Sequence, residues 1–335
     1  MKKIMLLMLI MILGLQGCNS SSDGSDKIVK TTNPPEVHYI QPGDVADYIA
    51  KFKVYLLGLK LEFDGGESKI KYIEDNKSTD SIILLYDKGL AYMGYDFDNN
   101  RPLPSLTLLE GDTSDLANFN PTRSLVGVNM TLVGNPAIST YSGPVHDKLT
   151  GNIYPVNLYV NESLRTAGNS KLVINGTKAT LSGTLGTSTY IQIQDMINTT
   201  SVDTLILSDI SGSINDAINM HTGRLIRKAG LTTLIPKDGN VNSGGVDLFA
   251  AGVERVYQNG GKVGVHSWCC TADGKDAGQL SKDDKAHGAQ LTYFREMLGA
   301  KKGPEFYFFT INAAPANKIH LMSVAEMVKY TLTTP

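Results

Sequence analysis

The sequence predicts an α/β protein in two parts, a β-rich domain over residues 37–173 followed by an α/β domain over residues 174–335. Two patterns carry that expectation. In the first part, short runs alternate apolar and polar side chains between Gly, Asn, Asp and Pro, as half-buried strands and their turns require. In the second, short apolar strands alternate with amphipathic helices, the pattern of a buried, largely parallel sheet. With 335 residues and 41% apolar side chains the chain can bury a sizeable core, and its length suits two domains.

Ahead of both parts stands a leader. Met1-Lys2-Lys3 is basic, and the apolar run Ile4 to Leu15 is interrupted only by Gly14. As a helix that run spans roughly 18 Å against a hydrocarbon core of ~30 Å, so it reads as a signal peptide over residues 1–17 and not as a membrane anchor. Leu15-Gln16-Gly17-Cys18 resembles the bacterial lipobox, although Gln16 is unusual at its place. The resemblance implies cleavage before Cys18 and acyl chains on that cysteine, with the polar stretch Asn19 to Ser25 opening a tether over residues 18–36. Asn19 is not the aspartate that marks inner-membrane retention. The expected location is therefore the outer membrane, facing the periplasm, with the membrane as a partner through the lipid on Cys18.

In the β-rich part the runs Lys53–Leu57, Ser81–Tyr86, Ser124–Thr131 and Ile153–Val160 read as strands, with a sandwich as one arrangement. Asp96-Phe97-Asp98-Asn99-Asn100 opens like a calcium loop. It lacks the glycine at the sixth position, and Thr107 stands where a glutamate would close the site, so a solvated turn is expected.

In the α/β part, strand Lys178–Ser182 leads to a helix over Tyr190–Ile197 and then to the apolar run Thr204–Leu207. Ser213 and Asp216 give an N-cap signal for a helix that stops at Gly230. Strand Leu231–Ile235, the turn Gly239–Gly245, helix Val246–Ala251 and strands Arg255–Gln258 and Lys262–His266 follow. Helices are expected over Lys285–Leu298 and Ser323–Leu332.

Several function classes are excluded by composition. A net charge of −2, with no basic cluster beyond the leader, argues against nucleic acid. No metal-ligand spacing, P-loop or dinucleotide-binding glycine pattern is present, so neither metal nor cofactor is expected. Three cysteines are too few for a disulfide scaffold. Beyond Cys18 they leave the adjacent pair Cys269-Cys270, as a vicinal disulfide, a bond to another chain or two buried thiols. His221 is expected on the polar face of its helix and His287 and His320 at the surface, with Trp268 as core packing or a pocket wall.

The candidate chemistry centres on Ser243. It lies between a strand and a helix, where free backbone N–H groups and the helix dipole favour negative charge. The N–H of Gly244 can face an oxyanion made by attack of the serine, and flanking glycines let a substrate backbone approach. Gly212, after the strand ending near Asp209, offers a second donor. His266, at the end of its own strand, is placed to take the serine proton.

Asp209-Ile210-Ser211-Gly212-Ser213-Ile214-Asn215-Asp216, then Asn242-Ser243-Gly244-Gly245, then Val263-Gly264-Val265-His266-Ser267-Trp268, resembles in order and spacing the Clp protease proteolytic subunit superfamily, which shares its fold with the crotonases. The tail Ile319–Tyr330 resembles that family's closing helix. The likeness covers roughly residues 174–335 and implies a spiral of ββα units. It implies Ser243 as nucleophile, His266 as general base, and the N–H groups of Gly212 and Gly244 as the oxyanion hole. Two departures stand out. Ser211 replaces a glycine of the oxyanion loop, and the stretch Pro315–His320 lacks the family's aspartate. Asn317 is the candidate to orient the imidazole there, with Asp283 or Asp284 as other sources, while Lys262 or Lys237 would serve a Ser-Lys dyad.

The functional expectation is a serine hydrolase acting on a peptide or protein. The alternative is a catalytically inactive binding or scaffold lipoprotein on the same fold. Acyl-CoA chemistry of the crotonase kind is disfavoured by export. Relatives of this fold assemble into rings, so a homo-oligomer is admitted.

Overall fold

The computed structural model describes residues 35–99, 101–135 and 138–334. Cys18 and the segments expected to be a signal peptide and most of a tether lie outside the described residues. Residues Glu36–Pro335 form one compact unit. Among the described residues no helix is long and apolar enough to cross a membrane.

A helix comes first. Lys53–Leu57, expected as a strand, is the last part of α1 (Val45–Leu57). Val45, Ile49 and Phe52 recur at helical spacing on its buried side, and a short window at the helix end mimicked alternation. Val45 and Ile49 pack with Tyr190 and Ile218, so α1 is seated on the second half of the chain.

Ten strands follow: β1 (Lys60–Phe63), β2 (Gly66–Lys69), β3 (Lys71–Asn76), β4 (Ser81–Tyr86), β5 (Gly89–Asp96), β6 (Arg101–Glu110), β7 (Arg123–Val128), β8 (Thr131–Asn135), β9 (Ile138–Asp147) and β10 (Ile153–Asn161). They form one antiparallel sheet in the order β2-β1-β10-β9-β7-β6-β5-β4-β3, with β8 paired to β9, and not the two sheets of a sandwich. The sheet curls. Tyr141 on β9 donates its hydroxyl to the Gly94 carbonyl on β5 at 3.2 Å, although β7 and β6 lie between those strands. At ~4.8 Å per strand a flat sheet would hold them apart. The curl encloses a core that includes Leu61, Ile82, Leu84, Leu106, Leu125 and Leu158. Arg123, bonded to Glu110 at 3.0 Å and to Asp147 at 2.8 Å, ties neighbouring strands at one edge of it. The calcium-like segment is the turn between β5 and β6, where the Asp96 carboxylate accepts from the Asn99 backbone and from Arg101. A short helix, α2 (Ser163–Thr166), leads out of the sheet.

The second half opens with the hairpin β11 (Lys171–Asn175) and β12 (Lys178–Ser182), then α3 (Thr187–Thr199). A unit of two strands and a helix then repeats: β13 (Thr204–Leu207), β14 (Asp209–Ile210) and α4 (Asp216–Lys228), followed by β15 (Thr232–Ile235), β16 (Asn240–Asn242) and α5 (Gly244–Ala251). The third unit is β17 (Arg255–Tyr257), β18 (Lys262–Val265) and, after a long loop, α6 (Gly288–Leu298). First strands join one sheet, in the order β11-β12-β13-β15-β17, and second strands another, β14-β16-β18-β19, where β19 is His320–Leu321. Within each sheet the repeating strands are parallel. This is a spiral of ββα units, the architecture the resemblance implies. Two helices close it, α7 (Lys302–Ala313), which the sequence reading left out, and α8 (Val324–Lys329).

Candidate active site

One end of the small parallel sheet carries the candidate residues. β16 lies between β14 and β18, with Ile210 opposite Val241 and Val241 opposite Val263. Gly212 follows β14, Ser243 follows β16 and His266 follows β18. Strands ~4.8 Å apart bring the residues beyond their ends within side-chain reach of one another. Ser243 is anchored there by its N–H, which donates to the Gly264 carbonyl at 2.9 Å.

The sequence predicts one turn over Gly239–Gly245 with Ser243 at the helix start. The structure makes Asn240–Asn242 a strand, β16, and leaves Ser243 alone between it and α5 to change direction at φ 51°, ψ −123°. Only glycine visits that region freely, and a residue held there costs of order 1–3 kcal/mol. Such a sharp strand-to-helix corner pushes the serine side chain out from the backbone. Gly212 packs against it. A Cβ added at Gly212 would stand 3.1 Å from Ser243 Cβ and 3.6 Å from its Oγ, and the φ of Gly212 is 143°. Gly244 is the first residue of α5, so its N–H has no partner within the helix. Side chains at Gly244 and Gly245 would collide with Ser213 and Ile210, respectively. These two glycines therefore serve close packing of α5, where the sequence reading gave them to substrate approach.

Ser243 and His266 line the same cavity, together with Asp216, Asp247, Trp268 and the α7 residues Phe306, Thr310 and Ile311. It is small, about 40 Å³, with room for a few water molecules. His266 Nδ1 lies 2.6 Å from the Ser267 carbonyl. A carbonyl oxygen only accepts, so Nδ1 carries the proton and the lone pair of the neutral ring sits on Nε2. The orienting partner sought at Asn317 is thus the backbone next door. Asn317 itself is exposed in the turn before β19 and does not line the cavity. Asp283 is exposed, Asp284 caps the turn at Ala286, and Lys237 and Lys262 are exposed.

Two carboxyl groups in the cavity were not singled out from sequence as site residues. Asp216, read only as a helix-start signal, is the first residue of α4. Burial raises its carboxyl above the usual range, opposed by a hydrogen bond with Ser213 and by the charge of His266. Asp247 is on α5 one helical turn beyond Ser243, a spacing that in retrospect places both on one side of the helix. Burial pushes Asp247 well above the carboxylate range and the Asp216 charge adds to it, against a hydrogen bond with Asn219. Asn219 donates to the Gly244 carbonyl at 2.9 Å, which fixes the start of α5.

Three other histidines make contacts away from the cavity. His221, expected on a polar face, is buried with Nε2 2.8 Å from the Ile40 carbonyl, because the segment before α1 covers that side of α4. His287, expected at the surface, is fully buried, with Nε2 3.0 Å from the Ser281 carbonyl and Nδ1 2.7 Å from the Tyr307 hydroxyl. His320 pairs with Glu326 at 3.1 Å. Trp268 donates to the Tyr307 hydroxyl at 2.9 Å and walls the cavity. Cys269 and Cys270 are joined to each other by a disulfide. With Asp276 they make a set of three groups close enough to share a metal ion. The disulfide leaves no thiolate for a metal to bind.

No protein-family model matches the chain, and no curated protein is similar to it. Among solved structures, it is similar to a putative enoyl-CoA hydratase/isomerase (crotonase) from Legionella pneumophila, at 11% identity and TM-score 0.32, over 50% of this chain and 68% of that one. An enoyl-CoA hydratase from Bacillus anthracis is similar at 12% identity and TM-score 0.32, over 49% and 68%. A membrane-bound stomatin-specific protease, solved with a substrate peptide, is similar at 14% identity and TM-score 0.34, over 46% and 71%.

Proposed function

We propose that the chain is an exported lipoprotein, acylated at Cys18, whose second half is a serine hydrolase acting on peptides. The observation that carries this reading is the forced backbone of Ser243 at the start of α5, in a cavity shared with His266. Ser243 Oγ attacks a carbonyl carbon and His266 Nε2 takes its proton. The N–H groups of Gly212 and Gly244 hold the oxyanion. Collapse of the tetrahedral species releases the amine, which takes the proton back from His266, and leaves an acyl-enzyme. Water, deprotonated by the same nitrogen, then frees the acid and restores Ser243. The Ser267 carbonyl keeps the ring in the required tautomer, and the Asp216 carboxyl, which burial holds toward its neutral form, is drawn toward ionisation by the charge on the imidazolium.

A second reading, an inactive binding or scaffold lipoprotein, is favoured by the size of the cavity: 40 Å³ does not admit a peptide unless α7 withdraws. Fluorophosphonate labelling of the chain from residue 19 onward, which keeps the whole compact body, separates the two. The hydrolase labels and the Ser243→Ala and His266→Ala variants do not. A folded wild type that stays unlabelled by a probe this small removes the hydrolase reading.

A further inference from the structure

A larger space lies far from the serine in sequence and within the curled sheet. It measures about 530 Å³, inside the ~300–1,000 Å³ that small-molecule sites occupy. Ile82 of β4, Met93 of β5, Tyr141 of β9 and Val160 of β10 line it, with Leu164 of α2, and all five are buried. Strands from distant parts of the sheet meet there only because the sheet curls.

The same cavity is bordered by two guanidinium groups, Arg101 and Arg165. A guanidinium has five N–H donors. Arg101 spends Nε on Asp96 at 3.2 Å, and Arg165 spends one terminal nitrogen on Asp75 at 2.8 Å and the other on the Tyr95 hydroxyl at 3.5 Å. Each retains donors for a further acceptor. Glu162 also borders the cavity, while Asp75 and Asp96 are engaged already.

We propose that this cavity binds a single-chain amphiphile, its apolar body against Ile82, Met93 and Leu164 and its anionic head, a carboxylate or phosphate, between Arg101 and Arg165. A sugar would bury hydroxyls against Ile82, Met93, Val160 and Leu164, which offer no hydrogen-bond partners. A neutral chain would leave the guanidinium donors unused, and a cationic head would meet two guanidinium groups against the single carboxylate of Glu162. The assignment is independent of any chemistry at Ser243.

Calorimetric titration of the chain from residue 19 onward tests it, with dodecanoate, dodecyl phosphate and dodecyltrimethylammonium each below its micelle concentration and dodecanol below its solubility limit. At least one anionic amphiphile binds with one-to-one stoichiometry, and the tighter of the two identifies the head. Dodecanol binds at least tenfold more weakly and the cation weaker still. Arg101→Gln with Arg165→Gln brings the anion down to the level of the alcohol, and Met93→Trp, which fills the cavity, abolishes binding. Should Met93→Trp fail to fold by circular dichroism, Leu132→Trp at the exposed rim replaces it. The proposal is overturned if no anionic amphiphile binds, if alcohol or cation binds as tightly, or if the arginine substitutions leave affinity unchanged.

Discussion

The two halves of the molecule hold opposite kinds of cavity. Beside Ser243 the space is about 40 Å³ and carries a serine, a histidine and two carboxyl groups. Within the curled sheet it is about 530 Å³, with buried walls that are mainly aliphatic and aromatic. Geometry follows from construction. Parallel strands that each feed a loop or helix deliver polar residues to one end of a sheet, where helix starts leave N–H groups free. An antiparallel sheet that curls keeps its inward face apolar and leaves a hollow. The first arrangement suits making and breaking bonds, the second holding something. At the first of them the serine backbone is held at φ 51°, ψ −123°, a conformation only glycine visits freely.

The largest expected effect lies at that serine. Ser243→Ala lowers the rate of fluorophosphonate labelling by roughly 10⁴-fold or more, while leaving amphiphile binding in the other half unchanged. Loss of both together would show that the halves are one functional unit. Next comes Gly212→Ala, which sets a methyl against Ser243 at a φ of 143°. The alanine keeps its N–H, so the expected slowing of about 10²–10³-fold comes from the methyl moving that donor off the oxyanion position. An unchanged rate would take Gly212 out of the site. Asp216→Asn removes the carboxyl whose ionisation the charge on His266 favours and slows labelling by about tenfold, with Asp216→Glu restoring part of the rate. A variant as fast as wild type would leave the Ser267 carbonyl as the only partner that matters to the ring.

Much of this second half was legible in the sequence, for reasons that can be named. Ser243, His266 and Gly212 follow short apolar strands, and the order of those strands predicts that their ends converge. The start of α5 was misread because three residues, Asn240–Asn242, make a strand too short to show a period of two. Asn317 was chosen by its place in the chain, whereas the ring is held by a backbone carbonyl, which no side-chain pattern reveals. Asp216 and Asp247 were invisible for a related cause. A polar residue in a helix reads as solvent-facing until the fold shows what the helix is packed against, and the same error put His221 and His287 outside. In the first half alternation found β4, β7 and β10, but nothing local predicts that one sheet will curl on itself. That curl comes from contacts between strands that are not neighbours, such as Tyr141 with Gly94.

Asp247 makes the comparison sensitive to pH. Its carboxyl is raised in the folded chain, so the folded state holds its proton more tightly than the unfolded state does. The stability this contributes is complete below the unfolded carboxylate pKa of ~3.9 and is lost as pH rises through the raised folded value. Asp247→Asn, which keeps the shape and cannot ionise, should gain on wild type in urea midpoint as pH rises from ~4 upward. At Asp147 the sign is reversed. Arg123 holds that carboxyl below its usual range, so the stability it contributes is present above pH ~4 and lost as pH falls. Unfolding curves for Asp247→Asn and Asp147→Asn from pH 3 to pH 8 should therefore part from wild type with opposite sign as pH rises, Asp247→Asn above it and Asp147→Asn below. Parallel curves would mean that neither group is held as the structure places it.

The smallest effect is the most specific to a catalytic reading. If Ser243 is strained, relieving the strain must stabilise the chain. Ser243→Gly removes a cost of ~1–3 kcal/mol at φ 51°, ψ −123° and adds ~0.5–1 kcal/mol of unfolded-state entropy. The net gain is about 1 kcal/mol, a rise in melting temperature of roughly 1–2 °C for a chain of 335 residues. Ser243→Ala removes the hydroxyl but keeps the strain, and should melt close to wild type. A glycine variant that is inert to fluorophosphonate yet more stable than both identifies a residue kept against stability, as a nucleophile at a sharp corner would be. A glycine variant no more stable than the alanine variant would make the corner ordinary, and the case for chemistry at Ser243 would then rest on the labelling alone.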